Sequence, residues 1–446
     1  MSALSEALES LYHIRRSPVD YGKVIPMIKR LLVMTALAAL AMACLASVAS
    51  AEPTIESVGK ALFFDTDLSN APGQACASCH DPGAGFADPD SDLPVSQGAV
   101  PTRFGDRQAP SAAYASFIPE RTFDAMLGAY VGGQFWDGRA PTLEEQAKGP
   151  FLNRLEMNMP NERAVVARVA QADYADDFEA VFGPQSLSVR NAEAAYDMIA
   201  EAIAAYERTE ELNPFTSKHD YAMTLTGNAR MMTFTMAERQ GMMLFNGEAQ
   251  CSVCHVTPMS GMTPGGGGGM GPGAGGGGGM GPGGGMGPGG GMGPGGGMDD
   301  IMPTEPILFS DYRFANLGLP KNWESPYLTL PPAFNPDGLA YIDHGLANAL
   351  PGGVEANAEF DGMFRTPSLR NIGLTAPYGH NGYFKTLKEV VHFYNTRDVP
   401  GAGWPEPEVP YNLETATMGD LGLTPMQEDQ LVAFLLTLDD GWWVQE

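Results

Sequence analysis

The distribution of apolar and polar residues predicts a mainly α-helical chain with long irregular connections. Helical periodicity of apolar side chains covers three stretches, residues 55–70, 162–182 and 189–208. Between the first two of these, residues 81–121 are rich in Gly, Pro, Asp and Ser, which indicates loops. Such loops bury little apolar surface of their own, so we expect a cofactor to supply part of the core.

Sequence signals for helix starts extend this pattern. A threonine followed three residues later by glutamate can form a capping box, in which each side chain satisfies a free backbone N–H of the other residue. The chain has three such pairs outside the periodic stretches, Thr142 with Glu145, Thr235 with Glu238 and Thr386 with Glu389. A last helix is predicted from Thr424-Pro425 to Leu438, with proline at its first position.

Two Cys-x-x-Cys-His motifs carry the most specific chemistry in the chain. They read Cys76-Ala-Ser-Cys79-His80 and Cys251-Ser-Val-Cys254-His255. The two thiols of such a motif can form thioethers with the vinyl groups of one haem, and the histidine can bind its iron. A zinc half-site or a dithiol redox pair is the alternative, but neither requires histidine after the second cysteine, twice. The motifs predict two covalently bound c-type haems.

The stretch before each motif has the same organisation, an apolar helix followed by a short loop. This repetition predicts two c-type cytochrome-like haem domains with long loops, related by duplication. We expect an N-terminal haem domain at 52–208, a linker with little periodicity at 209–234, and a C-terminal haem domain at 235–446.

The first 51 residues are predicted to be a leader and signal peptide. Lys29-Arg30 precede an apolar run at 31–48, and Ala49-Ser50-Ala51 forms a small-x-small cleavage site. A membrane anchor is the alternative, but about eighteen apolar residues ending in this site favour cleavage. Cleavage removes Cys44 and leaves four cysteines, all in the two motifs. We therefore expect export to the periplasm or cell surface, without disulfides or a stable membrane anchor.

The net charge of the chain limits the classes of molecule that it can bind. The formal net charge is −27 at pH 7, and removal of residues 1–51 takes away five basic and three acidic residues, which makes it more negative. This negative charge argues against nucleic acid and against anionic membrane surfaces as partners. Electrostatic steering of a basic partner protein and the ordinary acidity of a secreted protein both remain open.

A low-complexity insert interrupts the C-terminal part at residues 263–298. It repeats Met-Gly-Pro-Gly-Gly-Gly, cannot bury a core, and is predicted to be a disordered surface loop. Eight methionines fall between Met259 and Met302, and thioethers are soft ligands for Cu(I). Copper binding is one interpretation; repeat slippage in a biased linker is the other.

Further motifs give the chain a family resemblance over roughly residues 55–440. They are Phe-Trp-Asp-Gly-Arg-Ala at 135–140, Leu-Glu-Glu-Gln-Ala at 143–147, Arg-Thr-Pro-Ser-Leu-Arg-Asn at 365–371 and Thr-Ala-Pro-Tyr at 375–378. Together with the two haem motifs, they resemble the bacterial di-haem cytochrome c peroxidase and MauG family. Members of that family react with hydrogen peroxide at the N-terminal haem and use the C-terminal haem as an electron relay.

The resemblance implies roles for individual residues. His80 would bind the iron of the peroxide-reactive haem, His255 would bind that of the relay haem, and Trp136 would lie between the haems. Gln146 and Glu156 match positions of the distal pocket, where Glu156 could take a proton from one peroxide oxygen and return it to the other. A plain core tryptophan and a surface carboxylate are the alternatives for Trp136 and Glu156.

Two positions divide the branches of the family. Many of its peroxidases have a labile histidine in a Ser-x-Gly-His segment, but here Ser96-Gln97-Gly98-Ala99 ends in alanine, so the first haem should be open to peroxide without prior reduction. Tyr394 occupies the position of a methionine that binds the second haem iron in the peroxidases and is tyrosine in MauG-like members. Helical spacing alone would make Tyr394 one more residue of an apolar face, but the match favours iron ligation.

The resemblance also implies one Ca²⁺ between the haems, bound by an amide side chain and two carbonyls. Thr375 and Pro377 match the carbonyl positions, and Gln108 stands where asparagine is expected. Glutamine keeps the amide oxygen on a longer side chain, so calcium is a weaker expectation than haem.

Three functions follow as alternatives from the sequence. The first is a MauG-like oxidoreductase that uses peroxide to oxidise a protein partner. The second is a conventional cytochrome c peroxidase that takes electrons from a small cytochrome or copper protein. The third, of another class, is a copper-handling or pure electron-transfer protein.

Overall fold

A computed structural model describes residues 52–257 and 306–442. The predicted leader at 1–51 and the predicted insert at 263–298 lie outside these ranges. The described part is mainly helical with few strands, in agreement with the predicted fold class.

Between residue 52 and the predicted linker, the described part of the chain has five helices. They are α1 (Ile55–Phe64), α2 (Leu143–Leu152), α3 (Glu162–Val169), α4 (Ala175–Phe182) and α5 (Ala192–Glu207). Helix α2 begins where predicted, because the Thr142 side chain accepts a hydrogen bond from the backbone N–H of Glu145. The reciprocal half of the predicted capping box is absent, since the Glu145 carboxylate pairs with Lys148 Nζ at 2.7 Å instead.

The C-terminal part holds seven helices within the described residues. They are α6 (Lys218–Met223), α7 (Gly227–Thr233), α8 (Met236–Asn246), α9 (Leu346–Ala349), α10 (Gly353–Ala356), α11 (Leu387–Thr396) and α12 (Pro425–Leu435). Complete capping boxes at Thr235 and Thr386 start α8 and α11 as predicted. The predicted linker contains α6 and α7, and α12 ends at Leu435 before a 3₁₀ turn over Leu436–Leu438.

In the described ranges, four short strands form two antiparallel pairs. Strand β1 (Thr122–Asp124) pairs with β2 (Ala129–Val131), and β3 (Phe314–Ala315) pairs with β4 (Phe364–Arg365). An isolated bridge between Val131 and Arg313 joins the two pairs. The strands thus connect segments on both sides of the second haem motif.

Two helix crossings with the same geometry organise the two cores. In α1, a Cβ added to Gly59 would lie 1.8 Å from the carbonyl oxygen of Ala202 in α5 and 3.0 Å from Tyr206 Cβ. In α8, a Cβ on Gly241 would lie 1.9 Å from the carbonyl oxygen of Gln430 in α12 and 2.8 Å from Phe434 Cβ. Only glycine permits either approach, so each crossing brings an apolar helix against the helix that closes its core.

Each crossing lies in its own hydrophobic core. Phe63, Phe151 and Ile199 belong to the first core, and Phe245, Phe309 and Phe434 belong to the second. The described residues from Pro53 onward nevertheless group as one compact unit, and the division at 209–234 stays a prediction. None of the helices within residues 52–257 and 306–442 is long and apolar enough to cross a membrane.

Candidate functional site

The first Cys-x-x-Cys-His motif forms a tight turn that fixes its histidine. Cys76–Ser78 is a single 3₁₀ turn, and the backbone N–H of His80 donates to the Cys76 carbonyl at 2.9 Å. The Nδ1 atom of His80 lies 3.1 Å from the carbonyl oxygen of Phe86, whose φ of 59° turns that carbonyl toward the ring. Because the carbonyl engages Nδ1, Nε2 is the nitrogen left to bind iron.

The second motif repeats this geometry. Its 3₁₀ turn is Cys251–Val253, and the His255 N–H donates to the Cys251 carbonyl at 2.9 Å. Nδ1 of His255 lies 2.8 Å from the carbonyl oxygen of Phe309, which has a φ of 54°. Burial lowers the pKa of His255, as it does that of His80, which favours the neutral ring, the form that binds a metal.

No disulfide joins the four motif cysteines, which are partly buried in the described part of the chain. Burial raises the pKa of Cys79 and Cys251 to about 12 and that of Cys254 to about 11. Protonated thiols are poor zinc ligands and poor redox nucleophiles. Within the described residues, no group of three or more His, Cys, Asp or Glu side chains is arranged to hold a metal ion. The zinc half-site interpretation therefore lacks its further ligands.

A cavity of about 240 Å³ opens beside the second motif. Cys251, Cys254 and His255 line it, and so does Tyr394 from helix α11. Burial raises the pKa of the Tyr394 phenol well above its usual range. The structure thus brings Tyr394 and His255 to the same cavity.

Two buried polar atoms in the cavity wall lack hydrogen-bond partners within the described residues, and they indicate whether a haem fits there. Arg365 Nε and His380 Nε2 are buried and have no hydrogen-bond partner among the described residues. Burial lowers the pKa of Arg365 to about 10, and no described carboxylate forms an ion pair with it. Buried cations are normally paired, and haem carries two propionate carboxylates. The donor set therefore fits a haem.

Trp136 lines this cavity as well. Its indole Nε1–H donates to the Gln108 carbonyl at 2.8 Å, and its own carbonyl accepts from the Arg365 N–H at 2.8 Å. The three residues expected to bind calcium, Gln108, Thr375 and Pro377, lie in the cavity wall too. The structure thus gathers Trp136, Tyr394 and these three residues around one space.

A buried ion-pair cluster lies next to Trp136 in the chain and was not foreseen from the sequence. Arg107 is 2.6 Å from Asp137 Oδ2 and 2.6 Å from Asp343 Oδ2, and all three side chains are largely buried. The Arg107 guanidinium holds the pKa of Asp343 well below its usual range. Asp137 stands in the Trp-Asp-Gly-Arg motif, but nothing local marks Asp343, which is 236 positions from Arg107.

The distal pocket expected at the first motif is built on two joined loops. The Ala99 N–H donates to the Glu156 carbonyl at 2.8 Å, and a Cβ on Gly98 would lie 2.2 Å from the Leu155 carbonyl oxygen. The segment from Ser96 to Ala99 is therefore pressed against the turn that carries Glu156. Glycine at 98 is required by this approach.

The Glu156 carboxyl has an environment suited to proton transfer. Asn153 Nδ2 donates to Glu156 Oε1 at 2.9 Å. Burial, helped by the nearby charge of Asp106, raises the pKa of Glu156 to about 7, although Arg139 and the Asn153 hydrogen bond act in the opposite direction. Gln146 is half-buried on α2, and no hydrogen bond joins its side chain to Glu156.

Sequence reasoning assigned no role to three further residues of these sites. They are Arg365, Asn153 and His380, whose ring stacks on Phe364 at 3.6 Å between centroids. Arg365 stands inside the Arg-Thr-Pro-Ser-Leu-Arg-Asn motif and His380 lies two positions after Tyr378, the last residue of the Thr-Ala-Pro-Tyr motif, so these motifs could have suggested both. Asn153 lies three residues before Glu156 without any motif.

Comparisons with known proteins agree with one another. A family model described as di-haem cytochrome c peroxidase matches residues 53–229. The methylamine utilization protein MauG of Paracoccus denitrificans is 37% identical over 407 residues, which cover 87% of this chain and 89% of that protein.

Two solved structures are similar over most of the chain. The diheme peroxidase BthA from Burkholderia thailandensis superposes with a TM-score of 0.68 at 30% identity, covering 87% of this chain and 86% of BthA. A MauG-like protein associated with microbial copper homeostasis has a TM-score of 0.57 at 26% identity, covering 87% and 89%.

Proposed function

Because this chain belongs to the di-haem cytochrome c peroxidase and MauG family of enzymes, we propose that it is an exported, MauG-like oxidoreductase. It reacts with hydrogen peroxide at the N-terminal haem and oxidises a protein partner through the C-terminal haem. Family membership implies two covalently bound haem c groups, one at each Cys-x-x-Cys-His motif. When bound, these haems supply the iron for peroxide chemistry and electron transfer.

The observation that carries the MauG-like assignment is the position of Tyr394 in the wall of the His255 cavity. Tyr394 is partly buried in the cavity wall and its hydroxyl bonds to no carboxylate of the described residues, so another group is needed to satisfy it, and iron is a suitable one. An anionic oxygen ligand favours ferric over ferrous iron and lowers the reduction potential. Such a second site retains oxidising equivalents and does not act mainly as a reservoir of electrons.

At the first site, alanine in place of a labile histidine at position 99 supports direct reaction with peroxide. Alanine stands at position 99, and the loop that carries it is bonded to the Glu156 carbonyl. With a pKa near 7, Glu156 can take a proton from the near oxygen of peroxide and return it to the far oxygen. Asn153 orients the carboxyl during both transfers.

Trp136 is proposed to conduct electrons between the two sites. Its ring lines the second cavity, and its chain neighbour Phe135 contacts the Arg139 guanidinium, whose charge influences Glu156. Two hydrogen bonds fix the tryptophan, one from its indole N–H and one to its carbonyl. A fixed aromatic ring changes its surroundings little on electron transfer.

We also propose two haem domains related by duplication. Each has a helix crossing at glycine, a histidine whose Nδ1 faces a phenylalanine carbonyl, and an aromatic pair across the crossing. The ring centroids are 5.3 Å apart for Phe63 and Tyr206 and 5.2 Å apart for Phe245 and Phe434. The recurrence of these three features at equivalent positions supports a common origin.

Calcium, location and partner complete the proposal. One Ca²⁺ is bound by Gln108 and by the carbonyls of Thr375 and Pro377, which share one cavity wall. The compartment is the periplasm, where c-type haem is attached. The partner is a protein electron donor or protein substrate, and a conventional cytochrome c peroxidase is the alternative to be tested.

The test is titration of the as-isolated diferric protein with one equivalent of hydrogen peroxide, followed by optical and electron paramagnetic resonance spectroscopy. Wild type should form a long-lived state that holds both oxidising equivalents, and Tyr394→Met should lose it. Tyr378→Phe is a matched control, because Tyr378 lines the same cavity but its hydroxyl donates to the Ile372 carbonyl. If wild type forms no such state, or if Tyr394→Met forms it equally well, the protein is a conventional cytochrome c peroxidase.

A further inference from the structure

Tyr411, Asp361 and His344 form a hydrogen-bonded triad at the outer side of the second cavity. The Tyr411 hydroxyl donates to Asp361 Oδ2, and His344 Nδ1 lies 2.7 Å from Asp361 Oδ1. The Asp361 side chain is completely buried, whereas Tyr411 is 51% exposed. A buried carboxylate therefore joins an exposed phenol to a histidine that is itself 33% exposed.

The triad is one residue away from the cavity wall. Gly362, which follows Asp361, lines the cavity, and so does Val409, two positions before Tyr411. The Tyr411 carbonyl also accepts a hydrogen bond at 2.8 Å from Asn316 Nδ2, another residue of the wall. The Tyr411 backbone therefore lies beside the wall of this cavity, while its side chain is exposed to solvent.

The Tyr411 to Asp361 bond is not required to hold its loop in place. Asn316 alone makes three bonds to this loop, to the carbonyls of Val409 and Tyr411 and from the N–H of Glu414. Asn412 Nδ2 adds a fourth to the Ala358 carbonyl at 2.7 Å. The backbone is anchored without the phenol, so a purely structural role for the phenol hydrogen bond is weakly supported.

The chemistry of the triad is that of a redox-active tyrosine. One-electron oxidation makes a phenol extremely acidic, so the proton must leave together with the electron, and a hydrogen-bonded carboxylate is a ready acceptor. The hydrogen bond to Asp361 raises the pKa of the resting Tyr411 phenol, which keeps it protonated until it is oxidised. His344 connects the other carboxylate oxygen to solvent.

We propose that Tyr411 is the surface redox residue through which this enzyme oxidises its partner. This inference rests on the proposed function, because peroxide supplies the oxidant. Tyr411 donates one electron, which reduces one of the two oxidising equivalents supplied by peroxide. Its hydroxyl proton passes to Asp361, so a neutral phenoxyl radical and a carboxylic acid remain. The partner then gives one electron to the radical and Asp361 returns the proton, so two such cycles use the two equivalents of one peroxide.

The exposed edge of Tyr411 defines what the partner must present. An electron moves efficiently only between groups in near contact, so the partner needs an exposed one-electron donor, such as an aromatic side chain or a redox metal close to its surface. A small soluble donor of the same potential fits the same chemistry. Tyr114 also bonds to a carboxylate, that of Asp440, but it is only 2% exposed and offers no such contact.

The first experiment adds peroxide to the diferric holoprotein in the presence of a nitroso spin trap and locates the adduct by peptide mass spectrometry. Wild type should carry the adduct on Tyr411, and Tyr411→Phe should lower the total adduct at least about tenfold. Tyr221→Phe is the matched control, because Tyr221 is 37% exposed but its hydroxyl bonds to no carboxylate of the described residues. An adduct that maps to other residues in wild type overturns the proposal.

The second experiment replaces peroxide with an external oxidant, photogenerated tris(bipyridine)ruthenium(III), and measures the rate of adduct formation on Tyr411. Asp361→Asn should slow this rate at least about tenfold, because asparagine cannot take the proton, while the rate on Tyr221 stays unchanged. An equal rate on Tyr411 in Asp361→Asn and wild type overturns the proton-acceptor role. If peroxide leaves the optical spectrum of wild type unchanged, the proposed function fails, and the photochemical result still decides whether the triad is redox-active.

Discussion

Replacement of Glu156 by glutamine tests the proton-transfer step most directly. Glutamine has nearly the same size and keeps an oxygen for the hydrogen bond from Asn153 Nδ2, which is 2.9 Å long in the wild type. It cannot accept a proton from peroxide or return one. We expect haem content to be unchanged and the second-order rate of reaction with peroxide to fall by roughly 10²-fold or more, the usual contribution of a general acid–base group.

The pKa of Glu156 gives this prediction a pH signature. The carboxylate is the form that accepts the proton, and burial raises its pKa to about 7. The wild-type rate should therefore rise about tenfold per pH unit below pH 7, reach half its maximum near pH 7 and level off above about pH 8. Glu156→Gln should show a low rate without this dependence.

As pH rises, the free energy of unfolding should fall while the rate of reaction with peroxide increases. In the unfolded chain the carboxyl titrates near its ordinary pKa of 4.5, whereas in the folded protein it titrates near 7. Folding therefore favours the protonated form, and the free energy of unfolding falls as pH rises from 4.5 through 7. The loss at pH 8 is on the order of 3 kcal/mol. Glu156→Gln avoids this loss and should have the higher thermal midpoint at pH 8.

The assay is stopped-flow mixing of diferric protein with peroxide from pH 5.5 to pH 9, together with thermal unfolding at pH 5 and pH 8. Glu193→Gln is the control, because Glu193 is exposed on α5. The reasoning is refuted if Glu156→Gln keeps the wild-type rate, or if it keeps the inflection near pH 7. Either result would assign proton transfer to another group.

Three further predictions address the remaining parts of the site. Trp136→Phe should retain both haems but slow inter-haem electron transfer at least about tenfold in rapid-mixing spectra, whereas Trp404→Phe, which loses a similar bond to Thr396 Oγ1, should not. Calorimetric titration of chelator-treated protein should reveal one Ca²⁺ site that Gln108→Ala weakens at least about tenfold; two sites or unchanged affinity would contradict the assignment. Gly241→Ala, whose Cβ would lie 1.9 Å from the Gln430 carbonyl oxygen, should cost about 1–3 kcal/mol in thermal or denaturant unfolding. Gly149→Ala, whose Cβ would meet only the Phe135 ring at 3.3 Å, should change the free energy of unfolding far less.

Features encoded within a few residues were predictable from the sequence. The capping boxes at Thr235 and Thr386 are complete because donor and acceptor are three residues apart on one turn. The box at Thr142 forms only its first half, because Lys148 competes for Glu145. Local patterns thus predict a helix start well, but they do not predict which partner a charged side chain finds.

Features that depend on distant residues were not predictable. The pairing of Arg107 with Asp343 and of Tyr411 with Asp361 joins positions 236 and 50 residues apart. Helix α6 has weak periodicity, yet Arg370 binds both oxygens of its Asp220 at 2.8 Å, and its His219 packs against Phe309. Tertiary contacts of this kind stabilise a short helix that its own sequence would not support.

The two motifs share the same local structure on the histidine side but face different side chains on the opposite side, and we propose that this difference underlies separate functions of the two sites. On the histidine side, the 3₁₀ turn, the Nδ1 contact and the glycine crossing are the same at His80 and at His255. On the other side, the expected pocket of the first site presents Glu156, a carboxyl with a pKa near 7 that suits proton transfer to and from peroxide. The second site presents Tyr394, a phenol that burial keeps protonated unless iron binds it. Because the histidine side is built in the same way at both motifs, we propose that one side chain in each opposite wall decides whether a haem iron held there would react with peroxide or store its oxidising equivalents.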